Sequence, residues 1–199
     1  MKNIVINNYS YNGFFDHYFS SQDEWLHSPE QPLLDYVKLN LPNYINTIII
    51  LGCAGGRDFI PFQDEYNCIG FDLAPPQLIN WVCKTDNLTY YQCNIEDYLN
   101  KFNHDDIDLS SCLIYTQGTL MYISYEDQGK LINHLINKNC KNIVIHEYPP
   151  ECLINEQGHN GNNPNANFNP SPEVLNLFER KHFRPTVERQ PTGFLYLNK

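Results

Sequence analysis

The sequence predicts an α/β protein in which a mostly parallel β-sheet carries helices on both faces. Short apolar segments alternate with helical patterns from Thr47 onward, which is typical of parallel strands joined by crossover helices. The apolar segments are continuous rather than alternating, as expected for strands covered on both faces. With 199 residues, 42% of them hydrophobic, the chain is long enough for one large domain.

Five strands are predicted in the central part of the chain. They cover residues 47–51, 68–71, 89–92, 111–116 and 142–146. Two further strands, at residues 183–188 and 194–197 around the turn Q-P-T-G, are predicted to form a hairpin at the end of the chain.

Two helices are indicated by their N-terminal signals. Ser124 and Asp127 resemble a capping box, and an apolar face follows them. That face consists of Leu131, Ile132, Leu135 and Ile136. A later helix is predicted to begin with Ser171 as its N-cap and Pro172 in its first turn.

Charge and cysteine usage argue against several classes of function. Lys and Arg number 13 while Asp and Glu number 23, and the net charge of −10 disfavours binding to nucleic acids or anionic lipids. The seven cysteines form no C-x-x-C pair, so we expect free thiols and no metal site. No segment approaches the ~18 apolar residues of a membrane-spanning helix. We therefore expect a cytoplasmic protein without nucleic-acid or membrane partners.

The strand at residues 47–51 runs directly into the sequence G-C-A-G-G-R-D. Small residues at this predicted strand-to-helix turn let a ligand approach the backbone and meet the N–H groups of the next helix. Asp72 ends the following strand in the sequence G-F-D, where a carboxylate can accept hydrogen bonds from two ribose hydroxyls. Together these features predict a nucleoside-binding site.

The spacing of the small residues indicates which nucleoside is bound. The dinucleotide pattern G-x-G-x-x-G, aligned on Gly52, requires glycines where this chain has Ala54 and Arg57. The segment I-I-I-L-G-C-A-G-G instead resembles the first motif of the class I S-adenosylmethionine-dependent methyltransferases. The resemblance covers about residues 47–148. It implies a Rossmann-like domain with a seven-stranded sheet and an antiparallel last strand, S-adenosylmethionine as cofactor, and methyl transfer to a small-molecule acceptor.

The same resemblance implies a set of cofactor-binding residues. Asp72 is implied to bind the ribose with Leu73 beside the adenine, and Asn94 to lie near the adenine amino group with Ile95 against the ring. Gln117 is implied to lie near the methionine end of the cofactor. The full set is Gly52, Cys53, Ala54, Gly56, Asp72, Leu73, Asn94, Ile95 and Gln117.

One position departs from the family pattern. Ile50 occupies the place of the acidic residue that lies near the methionine ammonium in these enzymes. Backbone carbonyls of the turn or the nearby Asp58 are alternative partners for the ammonium. We favour a different role for Asp58, as a carboxylate in the first turn of a helix that interacts with the helix dipole.

His146 is the best-placed candidate for a general base, because it ends the fifth predicted strand. Glu147 follows it and could orient its ring, although a capping role for His146 is equally plausible. Methyl transfer itself depends mainly on holding the acceptor close to the methyl group, so a base is needed only for some acceptors. Two other interpretations stay open: a non-catalytic S-adenosylmethionine-binding protein, and an enzyme that performs different chemistry on the same cofactor.

Two segments complete the predicted organisation. Residues 1–46 are rich in aromatic side chains, and in small-molecule methyltransferases this position often carries a lid over cofactor and acceptor. Packing of the same aromatic residues on the sheet edge is an equally good explanation. Residues 155–170, rich in Asn, Gly and Pro, are predicted to be a flexible loop within the main domain at residues 47–199.

Overall fold

The computed structural model describes residues 1–5, 31–77, 79, 81–94, 97–98, 107–120, 123–146, 179–183 and 192–198. The chain divides into two units, Met1–Asn103 and His104–Lys199. Each unit contains parallel strands together with helix, which confirms the predicted α/β class.

The first unit is built around parallel strands. Its described strands are β1 (Lys2–Val5), β2 (Thr47–Leu51), β3 (Asn67–Asp72) and β4 (Leu88–Gln92), and helix α1 spans Gln31–Leu39. The strands lie in the order β1-β4-β3-β2, and all three neighbouring pairs are parallel. The carboxyl ends of β2, β3 and β4 therefore lie at one edge of the sheet.

Strand β2 forms the core of this unit. All five of its residues are buried, and three of them are consecutive isoleucines. Branching at Cβ restricts the side-chain torsion of isoleucine and favours the extended backbone. The register places Ile50 beside Gly70 of β3 and Asp72 of β3 beside Gln92 of β4.

The second unit combines parallel and antiparallel pairing. Its described strands are β5 (Cys112–Gln117), β6 (Asn142–His146), β7 (Glu179–Phe183) and β8 (Thr192–Asn198), and helix α2 spans Tyr125–Asn137. Strands β5 and β6 are parallel, whereas β8 runs antiparallel to both β6 and β7.

Helix α2 begins as its sequence predicts. The Ser124 hydroxyl accepts a hydrogen bond from the Asp127 N–H at 3.2 Å and donates one to Asp127 Oδ2 at 2.6 Å. Leu131, Ile132 and Leu135 are buried, as the predicted apolar face requires.

The five central strands are confirmed to within one residue at each end. The final pair lies at Glu179–Phe183 and Thr192–Asn198. The first of the two shares only Phe183 with its predicted range, and residues 184–188 lie outside the described residues. Strand β1 was not predicted, because its four residues include Lys2 and Asn3 and most of its side chains are exposed. The predicted loop at 155–170 and the helix predicted from Ser171 lie outside the described residues.

Within the described part of the chain, no helix combines the length and the apolar character needed to cross a membrane.

Candidate functional site

The turn that follows β2 has an unusual backbone. Gly52, Ala54 and Gly56 all have positive φ angles, of 72°, 43° and 81°. Such angles are rare for a residue with a side chain, so Ala54 must be held in place by its surroundings. Its N–H donates to Asp72 Oδ2 at 2.8 Å, which supplies that restraint.

Asp72 joins the glycine turn to the end of β3. While one carboxylate oxygen accepts from Ala54, the other accepts from the Ala74 N–H at 2.9 Å. The carboxylate is thereby fixed between the two loops that leave β2 and β3. Burial raises the pKa of Asp72 above its ordinary value of 3.8, and hydrogen bonds from the backbone N–H groups of Ala74, Ala54 and Leu73 oppose that shift.

The remaining donors of the turn point back into the protein. The N–H groups of Gly52 and Cys53 bond the Phe71 carbonyl of β3 at 2.7 and 3.2 Å, and the Gly56 N–H bonds the Cys53 carbonyl at 2.8 Å. With the bond from Ala54 to Asp72, four of the five N–H groups from 52 to 56 are committed to protein acceptors.

The prediction that an α-helix follows this turn is wrong. The chain forms only a three-residue 3-10 turn, Arg57–Phe59, and then further turns until β3 begins at Asn67. Pro61 lies in this segment and has no N–H to continue a helix. The turn therefore has no α-helix N-terminus that could attract an anion.

Because no α-helix follows the turn, Asp58 does not lie in the first turn of one. The predicted interaction of its carboxylate with an α-helix dipole is therefore wrong. It is buried, and its Oδ1 lies 3.3 Å from Arg57 Nε. The buried carboxylate already has a cation beside it in the same 3-10 turn, as a buried charge requires.

Two glycines near the turn are required by packing within the protein. A Cβ at Gly56 would lie 3.1 Å from the Cβ of Cys83 and 3.3 Å from the Trp81 ring. A Cβ at Gly70 would lie 2.6 Å from Cys53 Sγ. At Gly56 the absent side chain makes room for Cys83 and Trp81. The expectation that Gly56 also lets a ligand approach the backbone stays a prediction.

Cys53 packs as a small apolar residue. It is buried against Gly70, and burial together with the charge of Asp72 holds the pKa of its thiol well above 9.0. The thiol is therefore protonated at neutral pH. All six described cysteines are free and buried, as predicted.

The position of Ile50 confirms that β2 brings no acidic group to this edge. Ile50 is 1% exposed and lies beside Gly70 in the neighbouring strand. An ammonium group at the turn would therefore need backbone carbonyls, because Asp58 is paired with Arg57.

The side chains beyond β3 and β4 form the rest of this edge. Leu73 directly follows Asp72 and is 39% exposed. Asn94 lies two residues beyond Gln92, the residue paired with Asp72. Its side-chain oxygen accepts the Asp97 N–H at 2.6 Å. Ile95 lies outside the described residues.

Two polar residues of β4 support this edge and were missed in the sequence. The Tyr90 hydroxyl donates to the Ala74 carbonyl, and Gln92 Nε2 donates to the Leu73 carbonyl at 3.3 Å. Both side chains are buried and hold the loop that follows Asp72. The alternation Y-Y-Q could have revealed them, because Tyr90 and Gln92 share a strand face with each other.

In the second unit, Gln117 and His146 end two neighbouring parallel strands. They are paired in register, so their side chains emerge on the same face. Tyr115 shares that face and donates its hydroxyl hydrogen to Gln117 Oε1 at 3.2 Å. His146 is 6% exposed, and its carbonyl accepts the Gly118 N–H at 3.0 Å. Glu147 lies outside the described residues.

Among the described residues, no group of three or more His, Cys, Asp or Glu side chains could hold a metal ion.

Comparison with known proteins identifies the fold. No protein-family model matches the chain, and no curated protein matches it in sequence. Solved structures do match. The N-methyltransferase NodS from Bradyrhizobium japonicum WM9 superposes with a TM-score of 0.58 at 14% identity, over 90% of this chain and 100% of NodS.

Two further solved methyltransferase structures also superpose on this chain. Magnesium protoporphyrin IX methyltransferase (ChlM) from Synechocystis PCC 6803, crystallised with S-adenosylmethionine, superposes with a TM-score of 0.55 at 10% identity, over 96% of this chain and 87% of ChlM. The bifunctional kinase-methyltransferase WbdD gives a TM-score of 0.59 at 14% identity, over 84% of this chain. The match spans 40% of the length of WbdD. The chain therefore has the class I S-adenosylmethionine-dependent methyltransferase fold.

Proposed function

We propose that this protein binds S-adenosylmethionine and transfers its methyl group to a small-molecule acceptor. The observation that carries the proposal is the bond between Ala54 and Asp72, which joins the glycine turn and the end of β3 into one cradle. A carboxylate offers about four acceptor sites, more than the backbone N–H groups around Asp72 occupy, so Asp72 can still accept from a ribose hydroxyl.

The turn favours a nucleoside without phosphate groups. Phosphate sites in glycine turns rely on free backbone N–H groups and on the N-terminus of a following helix. Here four of the five N–H groups are committed within the protein, and no α-helix follows. A sulfonium nucleoside needs neither feature, whereas the pyrophosphate of a dinucleotide needs both.

The residues of the first unit suit the rest of such a ligand. Exposed Leu73 offers an apolar surface for the base, and Asn94 offers a polar contact at its far end. Carbonyls of the turn would accept the methionine ammonium in place of the acidic group that Ile50 lacks. The bound cofactor supplies an electrophilic methyl group on its sulfonium.

The residues of the second unit suit the acceptor. We propose that Gln117 contacts the methionine end of the cofactor and that His146 accepts a proton from the acceptor where its nucleophile carries one. Support comes from their shared strand face and from the hydrogen bond with which Tyr115 holds the Gln117 amide.

The proposal also includes the remaining predictions made from the sequence. They are a seven-stranded sheet with an antiparallel last strand, a cytoplasmic location, an N-terminal lid within residues 1–46 and a flexible loop at residues 155–170. The antiparallel pairing of β8 with β6 supports the antiparallel last strand but not the count of seven. Strand β1 is an eighth described strand beyond the predicted seven and pairs with β4. Residues 6–30, which carry the aromatic cluster, lie outside the described residues, so a lid and packing on the sheet edge both stay open.

Isothermal titration with S-adenosylhomocysteine and with NAD tests the cofactor. We expect the sulfur nucleoside to bind and NAD to fail. Asp72→Asn should weaken binding by about 1–3 kcal/mol, because the amide replaces an anionic acceptor. Asp86→Asn is the matched control, since Asp86 is an exposed carboxylate of the same unit. If only NAD binds, or if the two substitutions weaken binding equally, the proposal that the glycine turn and Asp72 bind the nucleoside is contradicted.

Release of S-adenosylhomocysteine in the presence of a metabolite extract tests methyl transfer. Binding without release across a wide acceptor screen favours the non-catalytic interpretation. Breakdown of the cofactor without methylation of any acceptor favours a different reaction on the same molecule.

A further inference from the structure

The side chain of Tyr90 is buried against the loop that follows β3. Tyr90 is 0% exposed, and its hydroxyl donates to the Ala74 carbonyl and lies 3.4 Å from the Asp72 carbonyl. Ala74 is also 0% exposed, so water cannot replace the phenol at this carbonyl. With the bond from Gln92 Nε2 to the Leu73 carbonyl at 3.3 Å, two side chains on one face of β4 hold this loop.

The ring of Tyr90 is linked to the glycine turn through Trp81. The two rings meet edge to face, with their centroids 5.0 Å apart and an interplanar angle of 76°. Trp81 packs on Gly56, where an added Cβ would lie 3.3 Å from its ring, and the Val82 N–H donates to the Gly55 carbonyl at 3.1 Å. Tyr90 therefore contacts the loop after β3 with its hydroxyl and reaches the turn through its ring.

Both of these segments are needed to hold the Asp72 carboxylate. One of its oxygens accepts from Ala54 of the turn, and the other accepts from Ala74 of the loop. Hydrogen bonds weaken steeply as their angle departs from linearity, so a shift of either segment would turn the carboxylate away from a bound ligand. Resting on the proposed function, we infer that Tyr90 is a positioning residue that keeps the turn and the loop at the separation in which Asp72 binds the ribose.

A comparison of two ligands isolates the ribose contact. S-adenosylhomocysteine offers both ribose hydroxyls and its 2′,3′-dideoxy analogue offers neither, while the base and the amino-acid part are the same. The wild-type protein should bind the first about ten-fold or more tightly, because the analogue cannot donate to the Asp72 carboxylate. Titration calorimetry gives both affinities. Their ratio measures the ribose contact, because a general loss of binding cancels from it.

Two substitutions remove the two contacts of Tyr90 separately. Tyr90→Phe removes the hydroxyl and keeps the ring, and the affinity ratio should fall to about three-fold or less because Asp72 is no longer held in place. Trp81→Leu removes the ring contact and keeps the hydroxyl, and should also lower the ratio. Tyr66→Phe is the matched control and should keep the wild-type ratio, since Tyr66 precedes β3 at the end of the strand opposite to Asp72.

A double variant tests whether Tyr90 acts through Asp72. Asp72→Asn should lower the affinity ratio by itself, and adding Tyr90→Phe should lower it no further. A merely structural role of Tyr90 would instead weaken both ligands equally and leave the ratio unchanged. Circular dichroism verifies that each variant is folded, and if Tyr90→Phe does not fold, the ratio in Trp81→Leu decides alone.

The outcomes separate this inference from the proposed function. If the wild type prefers S-adenosylhomocysteine and either Tyr90→Phe or Trp81→Leu keeps that preference, the positioning role is overturned and the cofactor assignment stands. An additive effect of Tyr90→Phe in the Asp72→Asn protein overturns it as well. A wild type that binds the two ligands equally contradicts the ribose contact of Asp72 and the inference that depends on it. A wild type that binds neither ligand contradicts the proposed function itself.

Discussion

The edge of the first unit at β2, β3 and β4 and the edge of the second unit at β5 and β6 are stabilised in different ways. In the first, the Asp72 carboxylate is held by N–H groups from two separate loops. In the second, Gln117 is held by Tyr115 from its own strand. A side chain fixed between loops keeps its position only while both loops do, whereas a side chain fixed along its strand depends on that strand alone. We therefore expect substitutions at the first edge to alter stability and binding together, and substitutions at the second edge to alter catalysis more selectively.

The largest effect is expected from His146 in the second unit. If His146 takes a proton from the acceptor, His146→Gln should lower kcat by about 10²–10⁴-fold while affinity for S-adenosylhomocysteine is nearly unchanged. The rate-against-pH profile should also lose the limb that a base contributes. His134→Ala, which removes a half-buried histidine of helix α2, is the matched control. A lowered affinity with unchanged kcat would show that the two edges do not differ in this way.

The next largest effect is expected from Gly70 in the first unit. Gly70→Ala should lower the free energy of unfolding by about 1–3 kcal/mol, because the new Cβ overlaps the Cys53 thiol. Urea denaturation of this variant, of Cys53→Ala and of the double variant measures the coupling. The double variant should recover most of the free energy of unfolding that Gly70→Ala loses. Additive losses would mean that the contact between turn and strand is not the cause.

A smaller effect is expected from Ser124, whose hydroxyl caps helix α2. Ser124→Ala should lower the free energy of unfolding by about 1 kcal/mol and leave nucleoside affinity unchanged, because the cap serves only its own helix. Ser124→Asp should retain most of the stability. A change in affinity larger than the error of titration would show that the Ser124 cap also affects the nucleoside site.

The smallest effect is expected from pH. Because burial raises the pKa of Asp72 above 3.8, its carboxylate takes up a proton on the alkaline side of that value as the pH falls. A neutral carboxyl accepts hydrogen bonds more weakly, so affinity for S-adenosylhomocysteine should fall by about five-fold on acidification. The loss should be absent in Asp72→Asn. Equal pH dependence in both proteins would place the titrating group elsewhere.

The elements that could be predicted are those determined by local sequence. The isoleucines of β2 favour a strand by their own torsional limits, and Ser124 with Asp127 defines a helix start within four residues. Asp72 could be assigned to a strand end because an apolar segment precedes it directly. Each of these conclusions needs only neighbouring residues.

The features that could not be predicted depend on residues distant in the chain. The fit of Cys53 against Gly70 requires the register of two strands, and the capping of Asp97 by Asn94 requires the loop beyond β4. Gln128 is buried in helix α2 because its amide donates to the Leu120 and Ile123 carbonyls of the preceding loop. The absence of an α-helix after the glycine turn could have been predicted in part, because Pro61 has no backbone N–H to donate to a helical hydrogen bond.

The position of the Cys53 thiol also makes the turn's local opening measurable. With its sulfur enclosed against Gly70 and its pKa raised, the thiol can react with an external alkylating reagent only when the turn separates from β3. The labelling rate of Cys53, followed by mass spectrometry, therefore reports how often this segment opens in the native protein. A ligand that binds only the closed turn slows labelling in proportion to its occupancy. Nucleosides can then be ranked by the protection they give, before any methyl acceptor has been identified.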